Sequence, residues 1–301
     1  MSSSRPSARW ISTATTTCTW PSGCSPSPTK LAQRMRDEPQ GIILAMTCRV
    51  AAITGGAGHI GRAIAHKLAD RGVLIAVLDK SVATGQALMS ELQARHPAGH
   101  RFIEADLMQP ESFASIRMQI GASFGRLDYL VNNAAFYDDA PGWGVPFAQE
   151  GYEAWLKVLR VNLLAPFFLV QTLHPLLAQS DDAAIVNIGT MYSAVGPDWS
   201  LYEGTDMTNP AAYSASKGGL LATTRWLATA LAPKVRVNMV SPGGIERNQS
   251  PRFRARYNQR TPLGRMGTEN DIAGMVSLLL SPEGAYITGQ HMLIDGGWTA
   301  W

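Results

Sequence analysis

The stretch Val50-Ala51-Ala52-Ile53-Thr54-Gly55-Gly56-Ala57-Gly58-His59-Ile60-Gly61 decides the fold. Its first five residues form a continuously apolar run ending in Thr54, the pattern of a parallel strand buried on both faces. Glycines at Gly55, Gly58 and Gly61 then allow a tight turn and a close backbone approach to an anion. The amides of His59, Ile60 and Gly61, at the start of the following helix, are placed to meet its charge. Asp79, 18 residues beyond Gly61, ends the next apolar run. A strand, a glycine turn, a helix and then an acid at that distance form a dinucleotide-binding unit, in which the acid accepts from a ribose hydroxyl.

Outward from this unit the same alternation continues. Residues 50–54, 73–78, 101–104, 129–132, 184–188, 235–240 and 291–294 read as strands. Residues 60–71, 82–95, 111–124, 151–179, 212–231 and 269–280 read as helices. The expectation is α/β: a single doubly wound parallel sheet of Rossmann type, about seven strands with helices on both faces, binding its ligand at the carboxyl ends of the strands.

Composition sets the frame. Of 301 residues 46% are hydrophobic and 16% charged, which suits one soluble domain with a sizeable core. Cys18, Cys24 and Cys48 make neither a disulfide framework nor a metal-ligand spacing, so no metal is expected and a reducing, cytoplasmic setting is permitted. With no run of about 18 apolar residues, no membrane span is expected. Residues 1–45 are Ser-, Thr- and Pro-rich and hold no acid before Asp37. They read as a disordered tail or an upstream-extended gene start, with the folded domain over 46–301. Of the 26 Lys and Arg, five lie in that tail, as do two of the 23 Asp and Glu, so the remainder is balanced and the +3 belongs to the tail. Nucleic-acid binding is not expected.

Tyr213 and Lys217 stand four apart in Tyr213-Ser214-Ala215-Ser216-Lys217. On a helix this places an ammonium beside a phenol on one face, which eases loss of the phenolic proton. With the glycine loop, Asp106 in Glu104-Ala105-Asp106-Leu107, Asn132-Asn133-Ala134-Ala135, Asn162 in Val161-Asn162-Leu163, and Ser241-Pro242-Gly243-Gly244-Ile245, the chain over 47–301 resembles the short-chain dehydrogenase/reductase family. The resemblance implies that Asp106 and Leu107 lie beside the adenine and that Asn133 and Ala134 tie the central sheet to the cofactor pocket. It further implies that Pro242, Gly243 and Ile245 border the nicotinamide, that Lys217 holds the ribose, and that Asn162 supports a proton relay through a water. A homotetramer is implied as well, with the Tyr213 helix and the segment around Asp295-Gly296-Gly297-Trp298 near subunit contacts.

Four departures stand out. The glycine spacing is that of the related extended dehydrogenases, with His59 either leaning toward the phosphates or simply solvated. Ala135 replaces a glycine, so its backbone is expected at negative φ. Thr190 stands where a catalytic serine is expected and keeps the hydroxyl, with Ser193 a weaker substitute. Arg247 replaces a threonine that contacts the nicotinamide carboxamide. Arg247 also begins an acid-free segment with Arg252, Arg254, Arg256, Arg260 and Arg265, read either as a basic lid for a phosphate or carboxylate or as a solvated basic helix. The 22 residues between Thr190 and Tyr213 include Trp199 and Tyr202, which either face substrate or pack on their own domain. The string 202–213 resembles a subgroup associated with bacterial surface-sugar and nonulosonic-acid biosynthesis.

The expected activity is hydride transfer between a nicotinamide dinucleotide and a secondary alcohol or ketone on a polar or anionic sugar-like small molecule. Asp79 favours NAD over NADP, with Lys80 the opposing influence. Catalysis would rest on Tyr213, Lys217, Thr190 and Asn162, with Tyr202, Arg247 and Arg252 toward substrate. The alternatives are a 3-oxoacyl-thioester reductase of the same family, an epimerase or dehydratase, and a non-enzymatic NAD-binding sensor or scaffold.

Overall fold

The computed structural model describes residues 48–97, 99–136, 145–205 and 207–301. The expected tail over 1–45 lies outside the described residues. Seven strands, β1 (Val50–Thr54), β2 (Leu74–Asp79), β3 (Arg101–Glu104), β4 (Tyr129–Asn132), β5 (Ala183–Ile188), β6 (Val235–Pro242) and β7 (His291–Ile294), form one parallel sheet in the order β3-β2-β1-β4-β5-β6-β7. The order reverses between β1 and β4, which pair through Ala51 with Tyr129 and Ile53 with Val131. A crevice opens beyond the carboxyl ends of strands at such a switch.

Alternate strand residues feed two cores. Ala52, Ala76, Leu130 and Ile185 face α3 (Ser112–Phe124), α5 (Ala165–Leu177) and the end of α6 (Ala211–Ala230). Ile53, Val77, Val131 and Val186 face α1 (His59–Ala69), α2 (Val82–Arg95) and α8 (Glu269–Leu279). Each fully buried aliphatic contributes about 1.5–3 kcal/mol, so two covered faces hold the switch point rigid. The expected helix over 151–179 is built in three parts: α4 (Tyr152–Leu159), a π-helical turn (Arg160–Leu164) and α5. The run Tyr152–Leu177 has the length and mean hydropathy, 1.4, of a membrane span. Its Leu169, Val170, Leu173 and Leu177 are buried in the first core, which accounts for much of that apolar character.

One helix was not foreseen from periodicity, α7 (Pro251–Arg260). Ser250 accepts from the Phe253 amide as N-cap and Pro251 occupies the first turn, a start signal the sequence does carry. Phe253 and Tyr257, four apart, anchor α7 in a third cluster with Met191, Leu201, Met266 and Trp298. Tyr257 stacks on Trp298 at 4.6 Å between centroids, and its hydroxyl accepts from the Gly244 amide at 2.5 Å. Thus α7 is fixed over the end of β6.

Candidate active site

The glycine loop owes its shape to contacts a side chain would obstruct. Gly55 has φ +57°, and a Cβ there would lie 2.9 Å from the Ala134 Cα; a Cβ on Gly61 would collide with the Gly55 carbonyl. Asn133 fastens loop to sheet: its Nδ2 donates to the carbonyls of Thr54 (3.0 Å) and Gly55 (2.9 Å), while the Thr54 hydroxyl accepts from the amides of Asn133 and Ala134. Ala135 needs no positive φ, as expected. The amides of His59, Ile60 and Gly61 donate to no described residue, and α1 has no side-chain cap and no acid in its first turn. Three orphan donors on a helix N-terminus fit the pyrophosphate of a dinucleotide.

A cavity of about 530 Å³ runs past this loop, lined by Gly55, Gly58, His59, Ile60, Asp79, Lys80, Asp106, Leu107, Asn133, Ala134, Tyr213 and Arg247. His59 is exposed yet borders the cavity. Asp79 is held in place from both sides, accepting from the Ala57 amide (3.1 Å) and the Ser81 amide (3.1 Å). Carboxylate oxygens each accept more than one hydrogen bond, so a ribose diol fits the acceptor capacity that remains.

A second cavity, about 300 Å³, continues beyond the first and is lined by Gly189, Thr190, Tyr213, Lys217, Pro242, Gly243, Ile245, Arg247 and Gln249. Tyr213 lies in the first turn of α6, whose N-terminus is capped by Glu150 accepting from the Ala211 amide at 2.9 Å. Lys217 follows one turn later, its Nζ 6.0 Å from the centroid of the Tyr213 ring. Lys217 is almost wholly buried and donates to the Ile188 carbonyl at 2.8 Å. Desolvation pushes its pKa down to about 8. Thr190 ends the segment after β5; its Oγ1 accepts from the Tyr192 amide at 3.4 Å, and its own proton goes to no described residue. Ser193 lines neither cavity: its hydroxyl donates to the Thr190 carbonyl at 2.6 Å and lies 3.4 Å from His291 Nε2. Thr190 is therefore the hydroxyl facing the cleft.

Asn162 sits in the π-helical turn, a distortion common at functional sites. Its Oδ1 accepts from the Phe136 amide at 2.6 Å and its Nδ2 donates to Ser216, whose hydroxyl donates to the Tyr213 carbonyl. One donor and one acceptor of the side chain thus brace the Tyr213 turn, while a second N–H and a second lone pair remain beyond these two bonds. Ser216, which completes that brace, was not singled out from the sequence.

The basic segment is mostly spent on the protein itself. Arg254 pairs with Glu246, Arg260 with Asp198, Arg265 with Asp271, and Arg247 through Nε with Glu269 at 3.5 Å; Arg256 donates to the carbonyls of Ser200 and Glu203. Among the described residues only Arg252 of the six has no hydrogen-bond or ion-pair partner, and it lines neither cavity. The lid reading thus narrows to the exposed Arg252, outside both cavities, and to Arg247, which borders both and pairs with Glu269 only through Nε. Tyr202 likewise turns away from both cavities, with its hydroxyl 2.8 Å from that of Tyr192 and its ring on Phe253. Packing, the alternative open at the sequence level, is what the structure shows for it.

Two cavities that share Ile60, Asn133, Tyr213 and Arg247 thus set a tyrosine, a lysine and a hydroxyl beside a cleft suited to a dinucleotide. Residues 55–299 match the family model described as enoyl-(acyl carrier protein) reductase. The chain belongs to the short-chain dehydrogenase/reductase family. It is 31% identical over 254 residues to the 3-oxoacyl-[acyl-carrier-protein] reductase FabG of Aquifex aeolicus, covering 83% of this chain and 96% of that one. It is 30% identical over 259 residues to cis-4-hydroxycyclohexanecarboxylate dehydrogenase of Sinomonas cyclohexanicum, covering 84% and 97%. Among solved structures it is similar to the RhlG/NADP active-site complex of Pseudomonas aeruginosa, with TM-score 0.73, 28% identity, and 83% and 96% of the two chains covered.

Proposed function

We propose that the chain catalyses reversible hydride transfer between NAD and a secondary alcohol or ketone on a polar, anionic, sugar-like small molecule. The observation that carries this reading is the convergence of Tyr213, Lys217 and Thr190 on the cavity that continues into the glycine-loop cleft. Bound in that cleft, the dinucleotide supplies the hydride donor or acceptor. Tyr213 gives a proton to the substrate oxygen in reduction and takes it back in oxidation. The Lys217 ammonium stabilises negative charge developing on the phenolic oxygen and reaches the ribose hydroxyls. Thr190 donates to the substrate oxygen as charge gathers there. Thr190→Ser, which keeps the donor, is expected to hold kcat within about 3-fold, and Thr190→Val to lower it by about 100-fold. Steady-state kinetics of the two variants checks this.

The preference for NAD rests on Asp79, since the family accommodates either dinucleotide and the RhlG complex holds NADP. A carboxylate fixed by two amides attracts a ribose 2′-hydroxyl and repels a 2′-phosphate. Asp79→Ser is expected to shift the ratio of kcat/KM for NAD over NADP by about 100-fold toward NADP, roughly 2.7 kcal/mol. An unchanged ratio would place discrimination elsewhere.

Support for an anionic substrate comes from the hydroxycarboxylate named for the Sinomonas relative. The FabG relative favours a second reading, a 3-oxoacyl-thioester reductase. Competition between hydroxy and keto acids, sugar acids and 3-oxoacyl thioesters at equal concentration, followed by nicotinamide absorbance, decides between them. Turnover of the acids is expected; exclusive turnover of thioesters would favour the second. We also propose a homo-oligomer, because Leu164 and Phe168 of the 152–177 run and Trp226 of α6 leave apolar surface exposed.

A further inference from the structure

Arg247 borders both cavities, and among the described residues it is the one charged side chain common to the two. It stands five residues beyond Pro242, the end of β6, and Ile60 of α1 also lines both spaces. Its main chain is braced: the Arg247 amide donates to Gln249 Oε1 at 2.7 Å, and Gln249 Nε2 donates back to the Ile245 carbonyl at 2.7 Å. Its Nε is held 3.5 Å from Glu269, while neither Nη donates to any described residue. The fork of the guanidinium is thus anchored at its stem and unpaired at its tip.

The charge inventory of the cleft points the same way. Asp79 and Asp106 line its far end, with Lys80 beside them, and next to the orphan amides of α1 the side chains are His59 and Ile60. A pyrophosphate seated there meets three amides and a helix dipole, which offset only part of two negative charges. A planar guanidinium matches the remaining oxygens in bidentate fashion.

We infer that Arg247 clamps the pyrophosphate of the bound dinucleotide from across the cleft, facing the amides of His59, Ile60 and Gly61, with Glu269 holding its stem. The position thereby recognises an anion where a threonine would recognise the carboxamide. This rests on the dinucleotide reading of the cleft, and the test separates the two.

Calorimetric dissociation constants are measured for NADH and for ADP-ribose, which keeps the pyrophosphate and lacks the nicotinamide, on the wild type, Arg247→Thr and Arg247→Lys. The expected result is a loss of about 10-fold for both ligands in Arg247→Thr and about 3-fold in Arg247→Lys, which keeps the charge without the fork. Thermal melts identify a variant that has lost its fold, and the lysine variant then carries the test. Weakened NADH with unchanged ADP-ribose would place Arg247 at the nicotinamide and overturn the clamp. Unchanged binding of both, with a raised substrate KM, would assign Arg247 to the substrate and overturn it equally. Failure of the wild type to bind either ligand would instead reject the dinucleotide reading itself.

Discussion

Tyr213→Phe lowers turnover by about 1,000-fold and leaves the dinucleotide dissociation constant within about 2-fold of wild type. The substitution removes one oxygen and keeps the ring that packs beside Lys217, 6.0 Å from Nζ to centroid. The hydrogen bond from Ser216 to the Tyr213 carbonyl uses the main chain and survives the change. The orphan amides of α1 and the Asp79 carboxylate are untouched, so the dinucleotide site stays formed. Paired measurement of kcat and of dinucleotide affinity by fluorescence titration isolates the proton-transfer step. A variant that kept wild-type turnover would remove Tyr213 from the chemistry.

Lys217→Met abolishes measurable turnover, by about 1,000-fold or more, and at the same time stabilises the apo protein near pH 7. The buried ammonium is the reason for both. Its pKa falls from 10.5 to about 8 on folding, through desolvation. The unfolded chain therefore binds the proton more tightly, and the shift corresponds to roughly 3 kcal/mol of lost stability. Because the folded value lies below the unfolded one, this cost is fully present below pH 8 and disappears as the pH rises toward 10.5. Methionine removes the cost and also leaves the Ile188 carbonyl without its 2.8 Å donor, worth about 1 kcal/mol. A net gain of about 1–2 kcal/mol, or roughly 2–6 °C in Tm, is expected at pH 7. The gap between variant and wild type should close above pH 9. Melting curves from pH 6 to 10 test this. A variant less stable than wild type at pH 7 would mean that Lys217 is held by partners strong enough to outweigh its desolvation. Here function retains a charge that folding alone would discard.

What the sequence made legible was local or periodic. The seven short runs read as strands, several of them continuously apolar, coincide with the seven strands, and Gly55, Gly61 and Asp79 are placed by spacing, because a turn, a helix start and a strand end are each set within a few residues. The Tyr213 and Lys217 pair was readable for the same reason, one helical turn fixing the separation. The fate of the arginines was not. Arg254 meets Glu246, and Arg260 meets Asp198 some sixty positions away, and such pairings depend on how α7 lies over β6. Tyr202 looked like a loop residue over the site, yet Phe253 and Tyr192 draw it into a cluster whose members are dispersed in sequence. The distribution of Asn162 hydrogen bonds depends on the π-helical turn, and no local pattern signals that extra residue in the helix. The bounds of α7 could have been found from Ser250-Pro251 and the Phe253/Tyr257 spacing, which turn the basic-helix alternative into a helix with a buried face.

On the proposed function, hydride passes between nicotinamide and a secondary carbinol carbon in the Tyr213 cavity. The most direct test incubates the protein with NADH deuterated at the transferring carbon and a panel of keto acids and keto sugars, followed by mass spectrometry of the products. Deuterium is expected on the carbinol carbon of at least one product with the wild type, and none with Tyr213→Phe. Dinucleotide bound by the protein with all deuterium retained on it, across the panel and with NADPH as well, would contradict the account and leave a binding protein in its place.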